Sequence, residues 1–97
     1  MLEAFVLASG LTTTVDSISR RNDIVTAVVR TTNSGATAYN SVYLECGFLD
    51  VGGKAVKASA DIVNNLQPGQ TAYSNVQTVD QGHQVSSVEC RIGLTQP

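Results

Sequence analysis

No tryptophan occurs in this 97-residue chain, and aromatic residues make up only 5% of it. The core must therefore be built mostly from Val, Ala, Leu and Ile, with two Phe and three Tyr available. The aliphatic side chains bury less area than aromatic rings, so stability should be modest. Charge is also scarce. Charged residues are 14% of the chain, and six basic against eight acidic side chains leave a net charge of −2. Without a basic surplus to neutralise phosphates, no nucleic-acid partner is expected. Histidine is present once, at His83. Nucleophilic catalysis would have that single imidazole base and no Gly-x-Ser-x-Gly elbow to serve. No apolar run approaches the roughly 20 residues of a membrane span. Helical periodicity with a convincing cap is missing throughout.

What the chain does have is strand patterning separated by turn residues. A first edge from Leu2 to Val15 is expected, interrupted near Ser9-Gly10, with Ser19 to Asp23 as a polar turn. From Ile24 to Thr32 the residues are largely β-branched, with Val25, Ala27, Val29 and Thr31 on one face. Asn33-Ser-Gly35 reads as a tight turn with a left-handed position at Gly35. Tyr39 to Asp50 is the strongest strand, followed by a hairpin loop through Gly52 and Gly53. Lys54 to Val63 returns with Val56, Ala58, Ala60 and Ile62 in phase. Leu66 to Gln70 is a turn in which Pro68 presets φ and Gly69 takes the positive φ of a type II turn. Thr71 to Val79 and Val85 to Thr95 supply the last strands, with the loop Asp80 to Gln84 between them. The expectation is an all-β chain: one domain over residues 1–97, an immunoglobulin-like β-sandwich of six or seven antiparallel strands.

The two cysteines share one feature. In Val42 to Phe48 the apolar side chains fall on Val42, Leu44, Cys46 and Phe48; in Val88 to Ile92 they fall on Val88, Cys90 and Ile92. Successive side chains point to opposite faces of a strand, so each cysteine belongs to the buried face of its own. Two inward thiols in so small a chain suggest a core disulfide and an oxidising compartment. Two buried free thiols acting as small hydrophobes are the alternative. A redox-active pair lacks the accessible low-pKa thiolate that exchange requires. A disulfide predicts that strands 39–50 and 85–95 are neighbours, with both sulfurs inside.

Other polar residues have simpler readings. His83 is a polar loop residue; a zinc site joining it to Cys46 and Cys90 would need the thiols turned outward, against their phase. Asp50 is a turn acceptor for its own backbone, with an extracellular calcium site as the alternative. Glu45 and Arg91 face outward and would form a cross-strand ion pair if their strands are adjacent. Tyr39, Tyr43 and Tyr73 are candidates for a partner surface, because Tyr is enriched at interfaces. The apolar start, Ala4 to Ala8, is either a first strand or the tail of a truncated export signal.

Three blocks resemble a known family. Val29 to Gly35 resembles a strand ending in Asn and a small-residue turn. Leu44 to Asp50, followed by Gly52 to Val56, resembles an aromatic-x-Asp strand with its Gly-Lys hairpin. Asn65 to Gln70 resembles a Leu-x-Pro-Gly-Glu turn. Together they resemble bacterial immunoglobulin-like domains of the FxLYD type, with Leu49 where Tyr is usual and Gln70 where Glu is usual. The resemblance implies an envelope, periplasmic or secreted protein and carries over no catalytic residue or cofactor. The expected function is a non-enzymatic exported binding or structural module, its partner a protein or a second copy recruited through an edge strand. A small metal-binding protein or a subunit of an envelope assembly is the alternative.

Overall fold

A computed structural model describes residues 10–97. The expected strand content of Leu2 to Ser9 lies outside the described residues. Six strands follow in order: β1 (Leu11–Arg21), β2 (Ile24–Asn33), β3 (Tyr39–Leu49), β4 (Ala55–Leu66), β5 (Thr71–Val79) and β6 (Ser87–Gln96). No helix occurs among the described residues. The strands form two antiparallel three-stranded sheets, ordered β1-β2-β5 and β4-β3-β6.

The central strands, β2 and β3, carry the clearest apolar alternation because each is covered on one face and paired on both edges. Val25, Ala27, Val29 and Thr31 of β2 are all buried, as their common phase predicts. They meet Val42, Leu44, Cys46 and Phe48 of β3 in one core, completed by Leu11, Val63, Leu66, Val76 and Val88. Across the core, β4 lies over β5 and β6 over β1.

Turn chemistry follows sequence at two sites. Asp50 Oδ1 accepts hydrogen bonds from the backbone N–H of Gly52 and Lys54, both at 2.9 Å, closing the β3–β4 hairpin. Gly69 has φ +84°, and the Gln70 N–H donates to Gln67 O, as the type II reading requires.

Three expectations need correction. The polar turn is confined to Asn22 and Asp23; β1 continues through Ser19, Arg20 and Arg21, carried past Asp16 by a bulge between Val15 and Ser17. Gly35 is not left-handed. It lies in close approach to Gly10 instead: a Cβ on Gly35 would stand 3.2 Å from Gly10 Cα, and one on Gly10 only 2.6 Å from Gly35 Cα. The phase of β4 is the reverse of that expected. Ser59, Asp61 and Val63 pair with the inward residues Cys46, Leu44 and Val42, so Ala58, Ala60 and Ile62 face outward. Alanine gains little from burial, so the larger Val63 decides which phase turns inward; Leu66, of the opposite phase, is buried past Asn65, whose φ of +56° interrupts the alternation.

Candidate functional site

The reversed phase of β4 builds an unusual outer surface on the β4-β3-β6 sheet. Outward positions are Tyr43, Glu45, Gly47 and Leu49 of β3, Ala58, Ala60 and Ile62 of β4, and Glu89, Arg91 and Gly93 of β6. Small residues gather at the middle. Gly47 lies beside Ala58, and Glu45 beside Ala60, leaving an open concavity of about 680 Å³. Leu49 and Ala55 line it as well, with Glu45, Glu89 and Arg91 supplying charge.

Nothing in the fold demands glycine at 47. A Cβ there would meet Leu49 Cδ2 at 3.6 Å and Ala55 Cβ at 3.8 Å, ordinary contact distances. Its absence keeps the floor of the concavity low. Gly93 has a different role: a Cβ would stand 3.3 Å from the Glu45 carboxyl group, which needs that space to reach Arg91. Arg91 Nε donates to Glu45 Oε1 at 2.8 Å, the cross-strand pair expected from sequence. Both side chains are exposed, so the pair contributes only about 0.2–1 kcal/mol.

Cys46 and Cys90 sit beneath this surface, directly opposite each other on β3 and β6. Their sulfurs are 2.05 Å apart and their Cα atoms 4.0 Å apart. The adjacency of the two strands and the disulfide distance are those that the shared apolar phase predicts. Cys46 is buried and Cys90 half-buried. The pair lies within one sheet, whereas the antibody-type bridge joins two.

The tyrosines do not form one surface. Tyr39 is buried in the core, because β3 enters the sheet there opposite Leu66. Tyr43 is on the outer face of β3. Tyr73 is exposed on β5 in the other sheet. Only Tyr43 belongs to the surface around the concavity.

The β1–β2 turn and the β5–β6 loop meet in a polar latch that sequence patterning did not single out. Asp80, 2% exposed, accepts from Arg20 Nη2 at 2.7 Å and from the N–H groups of Gln84 and Val85 at 3.0 Å each. The Arg20 hydrogen bond, aided by those backbone donors, lowers the Asp80 carboxyl to about 2 against the opposing effect of burial. His83 is in the same loop, exposed, with Nε2 3.2 Å from Asp23 Oδ1. Among the described residues no group of three or more His, Cys, Asp or Glu is arranged to hold a metal ion.

Asn33 forms a second knot at the opposite end. Its Nδ2 donates to Thr37 O at 2.7 Å and Leu66 O at 3.2 Å, while Oδ1 accepts from Gly35 N at 3.1 Å. Such saturation marks a structural clamp joining the β2–β3 loop to the end of β4, not a reactive group.

The described residues thus define an all-β domain of two sheets with an open, small-residue outer face on one of them. Comparison of the chain with protein-family models, curated proteins and solved structures finds no match.

Proposed function

We propose that the chain is an immunoglobulin-like β-sandwich acting outside the cytoplasm as a non-enzymatic protein-binding or structural module. The observation that carries this reading is the outer face of β4-β3-β6. Gly47, Ala58 and Ala60 leave a concavity there that no packing within the chain requires, flanked by exposed Tyr43 and Ile62. Surfaces of this kind on a soluble domain mark places where another molecule packs.

The strand orders support the immunoglobulin-like part. β1-β2-β5 corresponds to strands A, B and E of that architecture, and β3 with β6 to C and F. β4 then pairs with the C strand. The cysteine pair at disulfide distance supports an oxidising location, since such bonds persist outside the reducing cytosol.

A photo-crosslinking residue at Ala58, introduced into the full-length protein in its source cells, tests the binding role. Protein adducts are expected from Ala58 and not from Ser19, which lies on the other sheet. No adduct from Ala58 would overturn the binding role. An alkaline phosphatase fusion tests location, with an active enzyme expected and an inactive one refuting export.

A further inference from the structure

We propose that the partner of this face is a second copy of the chain, joined through antiparallel pairing of the two β4 strands about Ser59. The inference rests on the binding reading above and specifies its partner and register.

The sequence of β4 is nearly self-complementary about Ser59. Ala58 and Ala60 flank it, then Lys57 and Asp61, then Val56 and Ile62. Two copies related by a twofold axis through Ser59 place each Lys57 opposite the partner copy's Asp61, and each Ala58 opposite an Ala60. An isologous contact needs this kind of self-complementarity. β4 is the edge strand of its sheet, and among the described residues no strand pairs with its outer side.

The backbone has the correct phase. Cα atoms of Cys46 and Cys90 are 4.0 Å apart, the close spacing of a pair that does not exchange backbone hydrogen bonds. The N–H and C=O of Cys46 therefore point the other way, toward Ser59 on β4. Ser59 directs its own groups back at β3, so those of Ala58 and Ala60 point out from the free edge. In the twofold arrangement Ala58 and Ala60 are the hydrogen-bonded pairs. Ser59 meets the partner copy's Ser59 between them, and Lys57 and Asp61 form the closely spaced pairs just outside them, where side chains interact most strongly.

Charge then selects this register. Lys57, Ser59 and Asp61 share the inward face of β4, opposite Phe48, Cys46 and Leu44. Inward charges on an edge strand ordinarily discourage pairing. A parallel in-register contact would set Lys57 against Lys57 and Asp61 against Asp61. Moving the twofold axis by one residue in either direction leaves both charges without a partner. Only the axis at Ser59 pairs both, twice per dimer. On the opposite face, Ala58, Ala60 and Ile62 of the two copies would join the two concavities into one surface.

Sedimentation velocity on the full chain over a concentration series, with Lys57→Asp and Asp61→Lys variants, tests this. The unmodified chain should dimerise. Each single variant, placing like charges opposite each other, should weaken self-association on the order of ten- to a hundred-fold. An equimolar mixture of the two single variants should form a heterodimer, and the double variant should regain the homodimer. Circular dichroism of each variant checks folding, and recovery in the mixture excludes misfolding as the cause of the losses. A chain that stays monomeric at millimolar concentration overturns the inference, as does a dimer that tolerates both single variants or single variants that fail to associate when mixed. A monomer that still yields an Ala58 adduct with a different protein would overturn the dimer alone and leave the binding reading standing.

Discussion

Arg20 on β1 donates from Nη2 to Asp80 Oδ2 across 2.7 Å, tying the first hairpin to the loop that leads into the last strand. The contact spans 60 residues of sequence. It leaves Asp80 ionised in a site where an unpaired carboxylate would be costly to bury.

The latch predicts acid sensitivity of a definite sign. Asp80 has a folded pKa of about 2, below its ordinary 3.8, so its ionised form favours the native state. That stabilisation is complete above the ordinary carboxyl range and is lost as pH falls from about 4 toward 2. Urea denaturation at pH 7, 4 and 2.5 should show a steep acid loss in the unmodified chain. Asp80→Asn should be less stable at pH 7 and lose less on acidification.

The Cys46–Cys90 pair should act as a staple. Intact mass should rise by about two daltons on reduction, as each disulfide takes up two hydrogens. Closing a loop with a sequence separation of 44 restricts the unfolded chain, so replacing both cysteines with alanine should cost about 3–4 kcal/mol. An unchanged mass and an unchanged denaturation midpoint after reduction would refute the staple.

Asn33→Ala should be among the most damaging single changes. It removes a fully buried amide and leaves Thr37 O, Leu66 O and Gly35 N without the partners they have now. A loss of about 2–3 kcal/mol is expected, measurable as a melting point lower by on the order of 10 °C or more.

Two glycines should respond in opposite ways. Gly69→Ala forces a side chain into φ +84° and should cost about 1–2 kcal/mol by chemical denaturation. Gly47→Ala meets only ordinary contacts in the middle of β3 and should be neutral or stabilising by up to about 1 kcal/mol. Partner adducts at Ala58 should nevertheless fall with Gly47→Ala, because the concavity floor rises.

Sequence reading worked best where one local rule acted strongly. β2 and β3 are central strands, so their buried phases are written in residues that differ widely in apolar area, Val and Leu against Arg and Glu. The Asp50 and Gly69 turns follow from the reach of a short carboxylate and from positive φ. Elsewhere the local signal was weak. β4 alternates Ala with Ser, Lys and Asp, and a phase defined mainly by alanine carries little burial free energy. Tyr39 matched a surface residue by type, yet the start of β3 turns it inward.

Composition and alternation alone determined an all-β chain, the Asp50 and Gly69 turns and the common phase of Cys46 and Cys90. These are local properties, set by backbone sterics and by the two-residue repeat of a strand. Tertiary structure decided which face of β4 is buried, that Arg20 meets Asp80, and that Gly47, Ala58 and Ala60 converge on one outer surface. Each depends on strand order and register, which arise when distant segments compete to bury their larger side chains against one shared core.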